Sequence, residues 1–222
     1  MKQEYTKLLS EVLKQMANTD HIQLNDIPNI DLYMDQVTTF MDTHLSASKR
    51  FGEDKILTKT MINNYAKNDL LPPPVKKKYS KEHVLLLIFI YYYKGILSIS
   101  DIQTLLKPVT EKFFQSDRDF DLEDIYLEVF SMEEKQIQAL KEDVVRKFRV
   151  AQGTFQEAPE EDADFLRRFA FICTLSFDVY VKKLMIEKMI DDLSRRQSAS
   201  SEGRADEKKK NHKSEKNNPD GE

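Results

Sequence analysis

The chain has 222 residues, of which 40% are hydrophobic and 32% charged, with a formal net charge of -4 at pH 7 and a mean hydropathy of -0.58. This balance is typical of a globular protein with a hydrophobic core. The single cysteine, Cys173, excludes an internal disulfide, and the first sixteen residues lack the continuous apolar stretch of a secretory signal. We therefore expect a cytoplasmic protein, and the low glycine content favours helix.

Helical spacing of apolar residues predicts three helices ahead of the prolines at 72–74. They cover residues 3–16, 31–45 and 58–68, and polar segments separate them. Thr58 stands where an N-cap belongs, and Asn68-Asp69 is a polar stop that tolerates the left-handed conformation. The apolar face of the second helix consists of Tyr33, Val37, Phe40, Met41 and Leu45.

The stretch LLPPPVKKKYSKEHVLLLIFIYYYKG contains ten consecutive apolar or aromatic residues, 84–93. Ten helical residues rise about 15 Å, half of a hydrocarbon core of roughly 30 Å, so the run is too short to span a membrane. A buried strand is possible, but Ser80 as N-cap and Gly95 as C-terminal glycine favour a buried helix over residues 81–94. A second helix over residues 99–107 opens at Ser98-x-x-Asp101 and stops at Pro108.

Beyond Pro108 the pattern predicts a separate helical region. Ser131-x-x-Glu134 reads as a capping box that opens one helix, and residues 164–193 form a long helical pattern rich in Phe, Ile, Leu and Met. The last 26 residues lack large apolar side chains and are expected to be disordered. We divide the chain into an N-terminal helix and connection (1–30), a first domain (31–108), a helical C-terminal domain (109–196) and a disordered tail (197–222).

Positive charge is concentrated in the middle of an otherwise acidic chain. Residues 49–107 hold 11 basic and five acidic residues, a net charge of +6, whereas residues 1–48 and 108–196 carry -4 and -6. A local basic segment is the electrostatic footprint that nucleic acid requires. The alternative is a solvated lysine run beside a core helix, and charge alone does not separate the two.

The order of features resembles the DNA-binding domain of MerR-type transcription regulators. That family's pattern T-L-R-Y-Y-E-x-x-G-L-L-P-P matches residues 61–73, MINNYAKNDLLPP, and is followed by a wing, Y-S-x-x-D and an apolar helix, as in YSKEH here. Asn63 and Asn64 replace the family's phosphate-gripping Arg and first Tyr. The whole chain also resembles an uncharacterised bacterial family known only as a domain of unknown function (1836), which shares the runs TMINNYAKN and YSKEH.

The resemblance implies an all-α protein with a MerR-like winged-helix domain, followed by a helical C-terminal domain, that binds double-stranded DNA. Residues 58–68 would enter the major groove with Ile62 and Tyr65 or Ala66 toward the core, and the lysines after the prolines would form a stub wing on phosphates. Asn pairs bidentately with adenine, and Lys pairs with guanine or phosphate. The residues assigned to DNA contact are Lys59, Thr60, Asn63, Asn64, Lys67, Lys76, Lys77 and Lys78.

Motifs for chemistry are missing from the sequence. The glycines lie too far apart for a phosphate loop, the four histidines too far apart for a metal motif, and Cys173 lies in an apolar helix face. We therefore expect no catalytic residues, no cofactor and no metal. The expected function is a cytoplasmic DNA-binding transcription regulator, with a non-enzymatic protein-interaction module on the same scaffold as the alternative. The apolar surface of residues 164–193 predicts a homodimer through the C-terminal helices.

Overall fold

In a computed structural model of the chain, the structure describes residues 7, 9–14 and 21–215, except for the side chains of residues 133–135 and 200–215. The described part is mostly helical, as predicted, with one two-stranded sheet. Of the predicted first helix, residues 9–14 are helical and most of the remainder lies outside the described residues. The strands are β1 (Leu32–Tyr33) and β2 (Lys78–Tyr79), and the helices are α1 (Met34–His44), α2 (Lys59–Lys67), α3 (Lys81–Tyr93), α4 (Ile99–Phe113), α5 (Leu122–Ser131), α6 (Glu133–Gln152) and α7 (Glu160–Glu215). Two single 3-10 turns occupy Leu24–Asp26 and Ser46–Ser48.

The centre of the fold is α3. Every residue from His83 to Ile90 is buried, which confirms the prediction of a helix that is apolar on most sides. Ser80 is its N-cap, as predicted, and His83 completes a capping box. Gly95 directly follows the C-cap residue Lys94, as predicted, but its backbone is not in the left-handed conformation typical of a glycine at this position.

The helix predicted over residues 31–45 begins three residues late, because its first residues form a strand. Leu32 pairs with Tyr79, and Tyr33 pairs with Lys78, in an antiparallel ladder. Leu32 and Tyr79 are buried, whereas Tyr33 is 53% exposed and does not join the apolar face of α1 as predicted. The pairing of distant segments overrides the local helical pattern.

Pro108 does not stop α4, contrary to the prediction, and the helix continues to Phe113. A proline inside a helix removes the N–H that would bond the carbonyl four residues earlier, here that of Thr104. The Gln197 side chain of α7 donates to this Thr104 oxygen from Nε2 at 3.1 Å. The freed carbonyl is therefore satisfied by a distant side chain, and Gln197, placed in the predicted tail, is part of α7. Residues 216–222 of that tail lie outside the described residues.

The C-terminal helices contact the first part of the chain through α5 and the far end of α7. Asp121 caps α5, and the Tyr126 hydroxyl donates to the Ile22 carbonyl at 2.6 Å. Leu122, Tyr126 and Ile190 belong to the same buried cluster as α3. The predicted capping box at Ser131 is wrong, since Ser131 ends α5 and its hydroxyl donates back to the Glu128 carbonyl.

The helices α6 and α7 pack against each other. Phe148 and Phe171 meet edge to face with ring centroids 5.5 Å apart, and Lys147 pairs with Asp178. Much of the remaining surface of α7 is open to solvent. A helix so apolar and so weakly covered is unusual for an isolated chain.

His83 is a buried imidazole, 1% exposed, at the base of the β2–α3 junction. Its Nδ1 accepts from the Ser80 N–H at 3.0 Å, and the rings of Tyr79 and Phe114 contact it edge-on. Its Nε2 has no partner in hydrogen-bond geometry among the described residues. Burial lowers the pKa of His83, and the nearby backbone of Pro73 and Pro72 offsets only part of that effect.

Stability is therefore expected to fall as the pH drops from 7 to 5. The unfolded chain protonates His83 near its ordinary pKa of about 6.5, whereas the folded chain protonates it only at a lower pH, so the free energy of unfolding declines by up to about 1.4 kcal/mol per pH unit from this group. Urea unfolding at both pH values measures the effect. His83→Gln should flatten the pH dependence, whereas His44→Gln, at an exposed histidine, should keep it. Equal pH slopes in the two variants would contradict the assignment.

Candidate nucleic-acid interface

The helix α2 is a short amphipathic element with well-formed ends. The Thr58 hydroxyl accepts from the Met61 N–H at 3.1 Å, which confirms the predicted N-cap. At the other end Asp69 adopts a left-handed φ of 53°, and the N–H groups of Leu70 and Leu71 bond the Tyr65 carbonyl. These contacts stabilise the nine-residue helix, which would be too short to remain helical as an isolated peptide in water.

The orientation of α2 matches the predicted one. Ile62 and Tyr65 are buried against the core. All five α2 residues assigned to DNA contact are exposed, namely Lys59, Thr60, Asn63, Asn64 and Lys67. Amide and ammonium groups are thus presented together on a rigid surface, the donor and acceptor set that reads base edges in a major groove.

The lysine segment, predicted to form a stub wing, folds as a tight hairpin closed by one bridge between Val75 and Lys78. The N–H of Val75 bonds the Lys78 carbonyl at 3.1 Å, and the N–H of Lys78 bonds the Val75 carbonyl at 2.9 Å. Between them Lys76 and Lys77 have φ angles of 51° and 65°, both in the left-handed region. Positive φ at both central residues defines a type I′ turn, which asparagine and glycine normally occupy. The two lysines are exposed at the tip, and Lys78 is half-buried at the base.

The start of α1 connects α2 with the hairpin. Lys78 Nζ lies 5.4 Å from the centroid of the Tyr33 ring, across the β1–β2 pair. Two residues further along, Asp35 forms an ion pair with Lys59, the first residue of α2. The structure thereby brings the two predicted groups of lysines to the same end of α1.

Several lysines of the basic segment are engaged elsewhere. Lys49 pairs with Asp42, Lys81 pairs with Glu123, and Lys94 donates to the Ile56 carbonyl, where burial lowers the pKa of Lys94. These cations stabilise the fold and are not available to a ligand. The excess positive charge of residues 49–107 is therefore concentrated on α2 and the hairpin.

The candidate surface consists of the exposed face of α2 and the lysines of the hairpin, and few carboxylates neutralise its positive charge. Among the described residues no carboxylate pairs with Lys67, Lys76, Lys77 or Lys78, and the one ion pair, Lys59 with Asp35, is exposed on both sides. Exposed pairs contribute at most about 1 kcal/mol, so phosphate can displace Asp35 from Lys59. This end of the molecule is suited to a polyanion.

A protein-family model matches residues 22–129 of the chain. The matched family is DUF1836, a domain of unknown function. No curated protein and no solved structure matches the chain.

The match confirms the predicted resemblance to this family over residues 22–129, just under half of the chain. It begins at Ile22, whose carbonyl receives the Tyr126 hydroxyl, and ends at Val129 within α5. The matched segment thus includes the helices α1 to α4 and most of α5, with all eight residues assigned to DNA contact. It also crosses the domain boundary predicted at 108/109, which lies inside α4.

Other kinds of site receive no support from the described residues. They contain no group of three or more residues that can hold a metal ion. In the same part of the chain no helix combines the length and apolarity needed to cross a bilayer. Cys173 is exposed on α7, whereas the sequence placed it in a core face.

Sequence reasoning missed the position of Tyr33 beside the lysines of the hairpin. It counted Tyr33 among the apolar residues of α1, but Tyr33 lies on β1 and faces solvent beside Lys78. No local pattern marks this position, because its neighbour is 45 residues away in the chain. The left-handed backbone of Lys76 and Lys77 could not be predicted from the sequence either, because lysine is rarely found in that conformation.

Proposed function

We propose that the protein is a DNA-binding transcription regulator and that residues 31–108 act as a MerR-like winged helix. The observation that carries the proposal is the meeting of the polar face of α2 and the lysine hairpin at the start of α1. In this arrangement α2 enters the major groove, and Lys76, Lys77 and Lys78 contact flanking phosphates. Lys59, Thr60, Asn63, Asn64 and Lys67 face the bases or the adjacent backbone.

The backbone of the hairpin tip supports this function. An L-residue in the left-handed region is disfavoured by roughly 1–2 kcal/mol, and two consecutive lysines occupy it. Strained backbone of this kind concentrates at functional sites. Lysine at both positions has no structural advantage over asparagine and glycine, whereas two exposed ammonium groups on a rigid turn are well placed for phosphate.

The proposal is tested by fluorescence anisotropy with a labelled random-sequence duplex over a series of salt concentrations. Each phosphate contact contributes about 0.9 to the slope of log K against log salt, so four or five lysine contacts give a slope near -4. The alternative is a protein-interaction module on the same scaffold, without catalysis. A flat salt dependence, or no binding at low salt, favours that alternative.

Asn63→Ala is expected to relax sequence preference at one position of a selected site. Asn63 lies one turn from Lys59 on the exposed face of α2, where its amide can form a bidentate pair with adenine. Loss of that pair removes about 1–3 kcal/mol of discrimination and leaves non-specific affinity nearly unchanged. Selection from a random duplex library, followed by sequencing, measures the preference.

The matched control for Asn63 is Asn25→Ala, at an exposed asparagine in the first 3-10 turn near α5. This variant should select the same motif as the parent. If Asn63→Ala also selects the parent motif, Asn63 does not read a base.

We also propose that the protein acts as a homodimer through α7. Eleven apolar side chains between Phe165 and Met189 are 37–67% exposed. Exposed apolar surface on this scale is typical of a protein–protein interface and unusual for a monomer. A two-fold dimer of this kind would present two copies of α2 to a palindromic site.

A further inference from the structure

A row of three side chains crosses the small sheet beside the lysine tip, with Val75 and Tyr33 exposed and Lys78 half-buried. Val75 bridges to Lys78, and Lys78 is paired with Tyr33, so the three residues lie side by side across the strands. The neighbouring pair, Leu32 with Tyr79, faces the core. Because side chains alternate along a strand, the row Val75, Lys78 and Tyr33 forms the outward face of the sheet.

The fold does not require a tyrosine at position 33. Its ring is 53% exposed and its side chain makes no capping hydrogen bond to α1, for which Ser, Thr, Asp or Asn is the usual residue. The backbone N–H of Tyr33 is satisfied by the Gln36 side chain at 2.8 Å. A polar residue would therefore satisfy this position without exposing an aromatic ring.

The surroundings of Tyr33 are those of an anion-binding group. Lys78 Nζ lies over its ring, and Lys76 and Lys77 occupy the tip of the same hairpin. Two residues along the chain from Tyr33, Asp35 pairs with Lys59. The cation–π contact restrains both Tyr33 and Lys78 on the outward face. Tyrosine hydroxyls are regular donors to phosphate oxygens in protein–DNA interfaces.

We propose that Tyr33 is a further DNA-binding residue, whose hydroxyl donates to a backbone phosphate between the segment read by α2 and the one held by the hairpin. This inference rests on the proposed function and adds a neutral contact to it. A neutral hydroxyl releases no counterion from DNA, so its contribution to affinity is independent of salt. That property separates Tyr33 from the lysines around it.

The test compares Tyr33→Phe with the parent in the same anisotropy assay on the random-sequence duplex, across the salt series. Loss of one hydrogen bond should weaken binding about three- to tenfold at every salt concentration, with an unchanged salt slope and an unchanged melting temperature. Tyr91→Phe, at a half-buried tyrosine of α3 whose hydroxyl bonds Ser48 away from the hairpin and from α7, should bind like the parent at every salt concentration.

Each other outcome overturns the inference. If the parent binds with a clear salt slope and Tyr33→Phe binds equally well, the Tyr33 contact is absent while the proposed function stands. If Tyr33→Phe lowers the salt slope or the melting temperature, the residue positions Lys78 or stabilises the sheet and does not contact phosphate. If the parent does not bind DNA, both proposals fail together.

Discussion

Replacement of Lys76 with asparagine and Lys77 with glycine is expected to weaken DNA binding and, at the same time, stabilise the protein. Asn-Gly is the preferred pair for a type I′ turn, so the double variant keeps the hairpin and relieves the left-handed lysines, whose φ angles are 51° and 65°. The free energy of unfolding should rise by about 1 kcal/mol, or roughly 2–4 °C in melting temperature.

Binding should change in the opposite direction. Loss of two phosphate contacts lowers the salt slope by about two and weakens affinity about 10- to 100-fold for every sequence alike. Anisotropy over the salt series and a thermal melt measure the two effects on one sample. Opposite signs for affinity and stability are the expected signature of a turn whose residues are kept for binding and not for the fold.

Two further variants bracket this result. Alanine at Lys76, Lys77 and Lys78 should lower the salt slope by up to about three contacts, without the gain in stability, since alanine is also strained at positive φ. Alanine at Lys107 and Lys112, two exposed lysines on α4, should leave the salt slope unchanged. If the triple variant binds as tightly as the parent at every salt concentration, the hairpin does not contact DNA.

The second large effect concerns the oligomeric state. Light scattering at micromolar concentration is expected to give a mass twice the single-chain value of 26.1 kDa. Glutamate at both Ile172 and Val179 should return the mass to that of one chain, because these residues are two helical turns apart on one face of α7 and are 60% and 62% exposed. Two buried, unpaired carboxylates per copy cannot be accommodated in an apolar interface.

The dissociated variant should still bind DNA, but each single chain should contact only one half-site. Its affinity for a palindromic duplex should fall to that for a single half-site, whereas the parent gains from both. The control is Val150→Glu, at a 67% exposed valine near the end of α6, which should remain a dimer. A parent mass near 26.1 kDa would contradict the interface and leave the exposed face of α7 for a different partner.

Local signals sufficed for the two helices at the heart of the candidate site. Thr58 and Ser80 mark the starts of α2 and α3 because a hydroxyl N-cap acts on backbone within its own first turn. The inward face of α2, Ile62 with Tyr65, follows from helical spacing alone. One local signal was overlooked: Asp121-x-x-Asp124 caps α5 in the same manner and is visible in the sequence.

The sequence by itself therefore determined the helical character of the chain, the buried α3 and the polar face of α2, because capping and periodicity are interactions between residues a few positions apart. Only the tertiary structure decided that Leu32–Tyr33 is a strand, since its partner lies more than forty residues away. It also decided that α4 passes Pro108, because Gln197 supplies the donor that proline lacks. The tertiary structure likewise decided the left-handed turn of Lys76 and Lys77, because the pairing of β1 with β2 stabilises the hairpin in spite of its strained backbone.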